Sequence, residues 1–361
     1  MTSINQLRHA NNGIGSRDPG LDRPWLDPVS GSTYVTVNAI GDSEGENILV
    51  TNESLYLREV WIAMDNAVNK AARKPLSAWA DLRAAATYSI DGFSHYTLDY
   101  EYVTDFGEAN VSMDLRNENN NTDAPVFKVV SLPLHITSSS FEYSAREGAV
   151  QENSGLSIQT NRAEMAGQRV GEKIEDTLLF GLPELGFRSS NSTVYDHTQD
   201  VYGYTNHPLR MTKTDLTAAG TTPAHAAVAI AEILAMVESM RTNGFYGEFV
   251  LYHSPNWTPF LDTDYSVDSG ITLRERLLKI SGLSEIKRVE RLSTDDTLIL
   301  VSMDSTNVQA VDGMPIQTVM WNGPSGDSTN LRVQGIQVPK FNPRVSLDGT
   351  AKVGVLHATT S

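Results

Sequence analysis

The sequence predicts a mixed α+β protein, and three observations carry that prediction. A helical apolar period runs from about Ser157 to Leu179. Between residues 92 and 136, aromatic and aliphatic residues alternate with polar ones, the period of two expected of a strand with one buried face. The C-terminal half then sets strand-like runs between Gly- and Asn-rich turn signals.

Residues 1–32 read as an extended arm or a disordered tail. Arg17-Asp18-Pro19-Gly20 and Arg23-Pro24-Trp25-Leu26-Asp27-Pro28 cannot continue a helix. Trp25 and Leu26 are large apolar residues in polar surroundings, suited to anchoring the arm on a neighbour or on its own domain. Thr33 to Val37 alternates as a short strand. From Asn52 to Ala72 the pattern turns helical. Leu57, Trp61, Met64 and Val68 form a better apolar stripe than Leu55, Glu59, Ile62, Asn66 and Asn69, so the first set should face the core. Pro75 interrupts, Leu76 to Ala86 reads as a further helical turn or three, and short strands opening around Ser89 are an equal alternative.

Tyr96, Leu98, Tyr100 and Tyr102 share one strand face, and Val111 to Leu115 repeats the pattern. Arg116 to Asp123 is a polar tip, and Val126 to Leu134 is strand-like again. Together they predict a long β-hairpin. Aromatics interleaved with charge also occur in single-strand nucleic-acid binders, but the charges here are mainly acidic and favour sheet packing.

Phe141 to Glu147 reads as a short helix, broken by Gly148 and Asn153-Ser154-Gly155. The long helix follows. Its stripe is Ile158, Arg162, Ala166, Val170, Ile174 and Leu178, with Ala163 beside it; Arg169, Glu172, Lys173 and Asp176 flank it, and Lys173 is spaced to pair with Asp176. At 1.5 Å per residue it spans about 33 Å. Gly181 and Pro183 end it.

Residues 188–222 carry mostly loop signals. Thr222 is placed as an N-cap with Pro223 in the first turn. Ala226, Ile230, Ile233, Val237 and Met240 share one face of the helix that follows, which Asn243-Gly244 stops. Glu248 to His253 reads as a buried strand, and Pro255-Asn256-Trp257 opens a short helix or turn. Thr272 with Glu275 makes a capping box for a helix from Leu273 to Ile280. Strands are predicted at Ile286–Leu292, Thr297–Ser302, Met314–Trp321, Leu331–Val338 and Ala351–His357.

Composition excludes several functions. The chain has 361 residues, a formal net charge of -16 and no cysteine. The charge repels nucleic-acid phosphates, which argues against sequence-specific duplex binding but not against enclosing nucleic acid. Disulfides, thiolate nucleophiles and Cys-ligated zinc are out. The N-terminus lacks the apolar segment of a signal peptide, and no run reaches the roughly 20 apolar residues of a membrane span. The Asn-x-Ser/Thr matches are read as chance. Asp196-His197 with Asp200, and Asp262, Asp264 and Asp268, are acidic clusters without the offsets of a calcium loop. Glu232 and Glu238 face different ways. Neither Gly-x-Ser-x-Gly nor a Walker A sequence is present, and Gly13-Ile14-Gly15 lacks a preceding strand. No catalytic residue, metal site or cofactor is assigned.

One resemblance sharpens this reading. Leu132-Pro133-Leu134, Phe141 to Glu147, Asn161-Arg162-Ala163 and the run Glu172-Lys173-Ile174-Glu175-Asp176-Thr177-Leu178-Leu179-Phe180-Gly181 resemble the major capsid proteins of tailed bacteriophages, of the Hong Kong 97-like fold, and the related encapsulin shell proteins. The family's long helix typically ends in acidic-Leu-Leu/Ile-Phe-x-Gly; here Phe180 meets Gly181 directly. The resemblance implies an N-terminal arm at 1–50, a first peripheral-domain segment at 51–89 and an extended hairpin, the E-loop, at 90–136. It further implies a spine helix and peripheral domain at 137–222, an axial domain at 223–330, and returning peripheral strands with the C-terminus at 331–361.

The implied function is a major capsid protein that self-assembles, without catalysis, into an icosahedral shell enclosing phage double-stranded DNA. The implied partners are copies of itself as pentamers and hexamers, with separate scaffolding, portal and decoration proteins; DNA is held without sequence-specific binding, and no membrane is involved. The implied location is the virion, assembled in the cytoplasm of a bacterial host. Assembly contacts are expected from Trp25 and Leu26 on the arm, Arg116, Glu118 and Lys128 on the hairpin, and Glu142, Arg146, Arg162, Glu172 and Lys173 around the spine. The tip at 116–123 has no lysine, which leaves Lys128 as the hairpin's candidate for the Lys–Asn crosslink of some relatives. The alternatives are an encapsulin nanocompartment around cargo protein, a β-rich binding module and an unidentified hydrolase.

Overall fold

The computed structural model describes residues 24–26, 33–37, 46–50, 58–73, 77–103, 127–144, 146–147, 158–186, 198–220, 223–264, 270–292, 296–322, 328–345 and 350–360. Most of the arm, the hairpin tip with Arg116 and Glu118, the break at 148–155, the Thr222 cap, and Asp196, His197 and Asp268 lie outside these residues.

The arm region contributes a three-stranded antiparallel sheet of β1 (Pro24–Leu26), β2 (Thr33–Val37) and β3 (Glu46–Val50). The sequence reading found β2 alone. Helices α1 (Arg58–Arg73) and α2 (Ala78–Ala85) follow, then the short β4 (Thr87–Ser89). In α1, Met64 and Val68 are buried and Asn66 is exposed, so the predicted stripe is the one turned inward. The hairpin strands β5 (Thr97–Val103) and β6 (Phe127–Pro133) pair antiparallel along their whole length.

The segment expected as a short helix at Phe141–Glu147 is mostly strand. β7 (Thr137–Ser144) pairs with β15 (Ser328–Phe341), and among the described residues of 141–147 only 146 and 147 are helical. Thr137, Ser139 and Phe141 turn inward while Ser138, Ser140 and Glu142 are exposed. Three serines make that alternation weak in apolar content, and pairing with β15 holds Phe141–Ser144 in the strand.

The long helix α3 (Ile158–Phe180) has 23 residues, about 35 Å. Gly181 stops it at φ +70°. The expected Lys173–Asp176 pair is replaced: Asp176 accepts from Arg291 at 2.7 Å. β8 (Leu182–Gly186) follows the helix, and the region expected as loop contains β9 (Thr198–Val201) and β10 (Met211–Lys213). Then come α4 (Pro223–Thr242), β11 (Phe249–His253), α5 (Trp257–Leu261) and α6 (Leu273–Leu277). α6 stops three residues earlier than its pattern suggested. The Thr272 hydroxyl accepts from the Glu275 backbone N–H at 3.3 Å, as the capping signature required.

β12 (Leu283–Arg288) begins upstream of the predicted strand, because its register is set by parallel pairing with β11. β13 (Thr297–Ser302) is as predicted. β14 (Val308–Asn322) is longer than expected and shifts register between Asp312 and Gln317, around Pro315. β16 (Arg344–Val345), β17 (Ala351–Lys352) and β18 (Val355–Thr359) end the described chain.

Two sheets organise the rest. One has the order β4-β14-β15-β7, the other β10-β18-β13-β11-β12. The first core lies between α1–α3, the Leu331, Val333 and Phe341 face of β15, and the Val250, Tyr252, Ile299 and Val301 face of the five-stranded sheet. A second core fills the opposite face of that sheet, where Leu251, Leu298, Leu300 and Leu356 meet α4, α5 and α6. A third sits under the hairpin root, where Leu98, Leu132 and Leu134 pack on Ile336 and Val338. The boundary drawn at 330 in the sequence falls inside β15, which pairs with β14, while β18 joins the other sheet.

Candidate functional site: the assembly surfaces

The hairpin has one tethered face and one open face. Leu98, Tyr100, Tyr102, Lys128, Val130 and Leu132 share the first by cross-strand register. At its root the Tyr100 hydroxyl donates to the Phe341 carbonyl at 2.9 Å. The Lys340 ammonium sits 4.8 Å from the Tyr100 ring centroid and 5.3 Å from that of Tyr88, and donates to Gln309 Oε1 at 3.2 Å. Burial pushes the Tyr100 hydroxyl up to about 12 and lowers the Lys340 ammonium. The opposite face pairs Glu101 with Val129 and Val103 with Phe127, and leaves Phe127 57% and Val129 58% exposed. Phe93 and Tyr96, ahead of β5, are exposed too.

The spine is fixed from beneath. Glu175 of α3 is fully buried, and its carboxylate accepts from the Ala78 N–H at 2.9 Å, the Trp79 N–H at 3.0 Å and the Ser77 hydroxyl at 3.0 Å. Ser77 makes no side-chain cap of its own, so a carboxylate from another helix fills that place at the positive end of α2. Burial raises the Glu175 pKa, and the three donors work against that rise. Gly167 and Gly171 bring α3 against the α1 backbone: a Cβ on Gly171 would lie 2.3 Å from the Ala72 carbonyl oxygen, and one on Gly167 2.8 Å from that of Val68.

Ion pairs join the spine region to the five-stranded sheet. Lys287 donates to Asp81 at 2.7 Å, Tyr252 donates to the other Asp81 oxygen at 3.0 Å, and Arg291 grips Asp176 through two nitrogens.

The residues expected at assembly contacts divide into several groups. Arg162 donates to the Glu142 carbonyl at 2.9 Å and to both Glu147 oxygens at 2.9 and 3.1 Å, so it latches the spine to the end of β7 within one subunit. Glu172 pairs with Arg169 at 3.1 Å on the same helix. Lys128, Glu142, Arg146 and Lys173 are exposed. Trp25 and Leu26 stand in β1, opposite Tyr34 and Thr33. Sequence reasoning missed Phe127 and Val129 as a surface, although their alternation was visible. It also missed Glu175, which in sequence is one more charge on a long helix, and the Gly167-x-x-x-Gly171 spacing, which was readable as a close helix contact.

Among the described residues no group of three or more His, Asp or Glu side chains is placed to hold a metal ion. Asp262 instead pairs with Arg274 at 3.0 Å. Among the described residues no helix is long and apolar enough to cross a membrane.

Residues 50–326 match a sequence family described as a family of unknown function, DUF6260. No curated protein matches the chain. Solved structures are similar over most of its length. A virus-like particle from Pyrococcus furiosus is 15% identical with a TM-score of 0.57, covering 83% of this chain and 99% of that one. The capsid of Myoviridae phage XM1 is 13% identical at 0.55, covering 77% and 90%. A chain of Mycobacterium phage Cain is 12% identical at 0.51, covering 78% and 90%. The fold is the Hong Kong 97-like major capsid fold, α+β in class.

Proposed function

The chain belongs to the DUF6260 family, and from its Hong Kong 97-like fold we propose that it is a shell subunit, the major capsid protein of a tailed bacteriophage. Copies assemble as pentamers and hexamers into a closed icosahedral shell around double-stranded DNA. The observation that carries the reading is the hairpin. Its root is hydrogen-bonded and packed onto its own sheet, while its outer face holds Phe127 and Val129 in water. A neighbouring subunit would remove that apolar surface from solvent. Many weak copies of one contact stabilise a shell that no single contact would. The acidic chain holds DNA by containment and counterions rather than by gripping phosphates.

A second reading is kept by the likeness to the Pyrococcus furiosus particle: a nanocompartment shell around cargo protein. Electron microscopy of the purified full-length chain tests shell formation; icosahedral particles are expected, and a persistent monomer overturns the reading. Nuclease-protected duplex DNA in particles from infected cells supports the capsid, and packaged protein without DNA supports the nanocompartment. Scaffolding, portal and decoration proteins belong to the capsid reading as separate chains.

A further inference from the structure

Helix α4 carries apolar residues on two faces, with His225, Glu232 and Ser239 along one boundary between them. Toward the sheet it buries Ala226, Ala229, Ile233, Met236, Val237 and Met240. Away from it Ala227, Val228, Ala231, Leu234 and Ala235 are exposed, Val228 at 43% and Leu234 at 50%, and the stripe ends at the exposed Glu238. A second apolar face left in water is a surface that another chain can cover.

The other half of a contact lies across the same sheet. α4 covers the β10 edge: its Ala235, Met236 and Ser239 line a cavity of about 500 Å³ with Thr212 and Lys213 of β10 and Leu356 of β18. α6 covers the opposite edge, where Arg274 donates to the Ile286 carbonyl of β12 at 3.3 Å. Just after α6, Leu278 is 41% exposed, with exposed Lys279 beside it and half-exposed Arg276 nearby. One edge therefore offers an apolar stripe ending in a carboxylate. The other offers an apolar side chain with Lys279 and Arg276 beside it and the exposed Glu275 one turn before.

We infer that in each ring the α4 face of one copy receives the Leu278–Lys279 turn of the next, with Leu278 against the Ala227–Ala235 stripe and Lys279 meeting Glu238. This rests on the shell reading. Complementary patches on opposite edges make a head-to-tail contact, which closes into a ring when the rotation fits. A two-fold pairing of α4 with α4 would instead leave Leu278 and Lys279 outside the contact.

The test uses the full-length chain, with capsomer and shell yield read by light scattering and electron microscopy. Leu234→Glu lowers ring yield about tenfold or more, with an unchanged thermal melt because Leu234 is exposed in the subunit. Glu238→Lys and Lys279→Glu each lower it, and the double exchange restores it. Wild-type shell yield from Leu234→Glu overturns the inference and leaves the shell reading standing. Loss in both single exchanges without recovery in the double overturns the pairing in favour of another contact. A wild-type chain that stays monomeric overturns both.

Discussion

The Glu175 carboxylate on α3 accepts the backbone N–H of Ala78 at 2.9 Å, across 97 positions of sequence. Replacing Glu175 with Ala leaves the Ala78 and Trp79 donors buried without this acceptor. The expected loss is about 2–3 kcal/mol of subunit stability, read by urea denaturation. Glu175→Gln should lose less, since its carbonyl oxygen still accepts. Equal loss in the two variants would show that packing rather than the cap sets the cost.

Gly171→Ala places a methyl group 2.3 Å from the Ala72 carbonyl, where backbone must move. It should destabilise the subunit by about 1–3 kcal/mol, although alanine is the better helix former. Gly167→Ala, at 2.8 Å from the Val68 carbonyl, should cost less. A stabilised Gly171→Ala variant in the same denaturation series would contradict the close helix contact.

His135, His207 and His357 are each held down to about 4 from an ordinary 6.5, first by burial and then by Lys173 for His135 and Arg210 for the other two. The unfolded chain binds their protons more readily than the folded one. Their contribution is therefore fully present above about pH 6.5 and lost as pH falls toward 4. Glu175 has the opposite sign, since its raised pKa makes folding less favourable as pH rises above about 4.5. The three histidines should dominate, so urea midpoints should fall between pH 7 and pH 4.5. His135→Gln should flatten that slope, and an unchanged slope would remove His135 from the account.

Phe127→Asp with Val129→Asp alters only exposed hairpin positions. Subunit stability should move by no more than about 0.5 kcal/mol per site. Closed particles should nonetheless be lost, with the chain accumulating as soluble subunit by sedimentation. Particles of normal size and yield would remove the hairpin's outer face from the assembly contacts.

Legibility in the sequence followed signal strength. α3, α4, β11 and β13 were readable because long apolar periods or continuous apolar runs leave little choice of face. β7 was not, since its serines give almost no hydrophobic contrast and its strand state comes from β15, nearly two hundred residues away. Asp176 was assigned a partner one turn along its own helix, and only tertiary folding brings Arg291 to it. For the site, the resemblance pointed to the arm, the hairpin and the spine, and charge in the sequence does not say which partner a residue takes. Arg162 and Glu172 form their bonds within one subunit, while Phe127 and Val129 carry the open surface.

The place of β18 bears on when the subunit is made ready. Val355–Thr359 lies between β10, to which it runs parallel, and β13, to which it runs antiparallel. β10 therefore has no neighbour in its sheet until Val355–Thr359 has been made. β11, β12 and β13 can pair with one another before that strand exists. Order of synthesis thereby sets the order in which the sheet closes, with the β10 edge last.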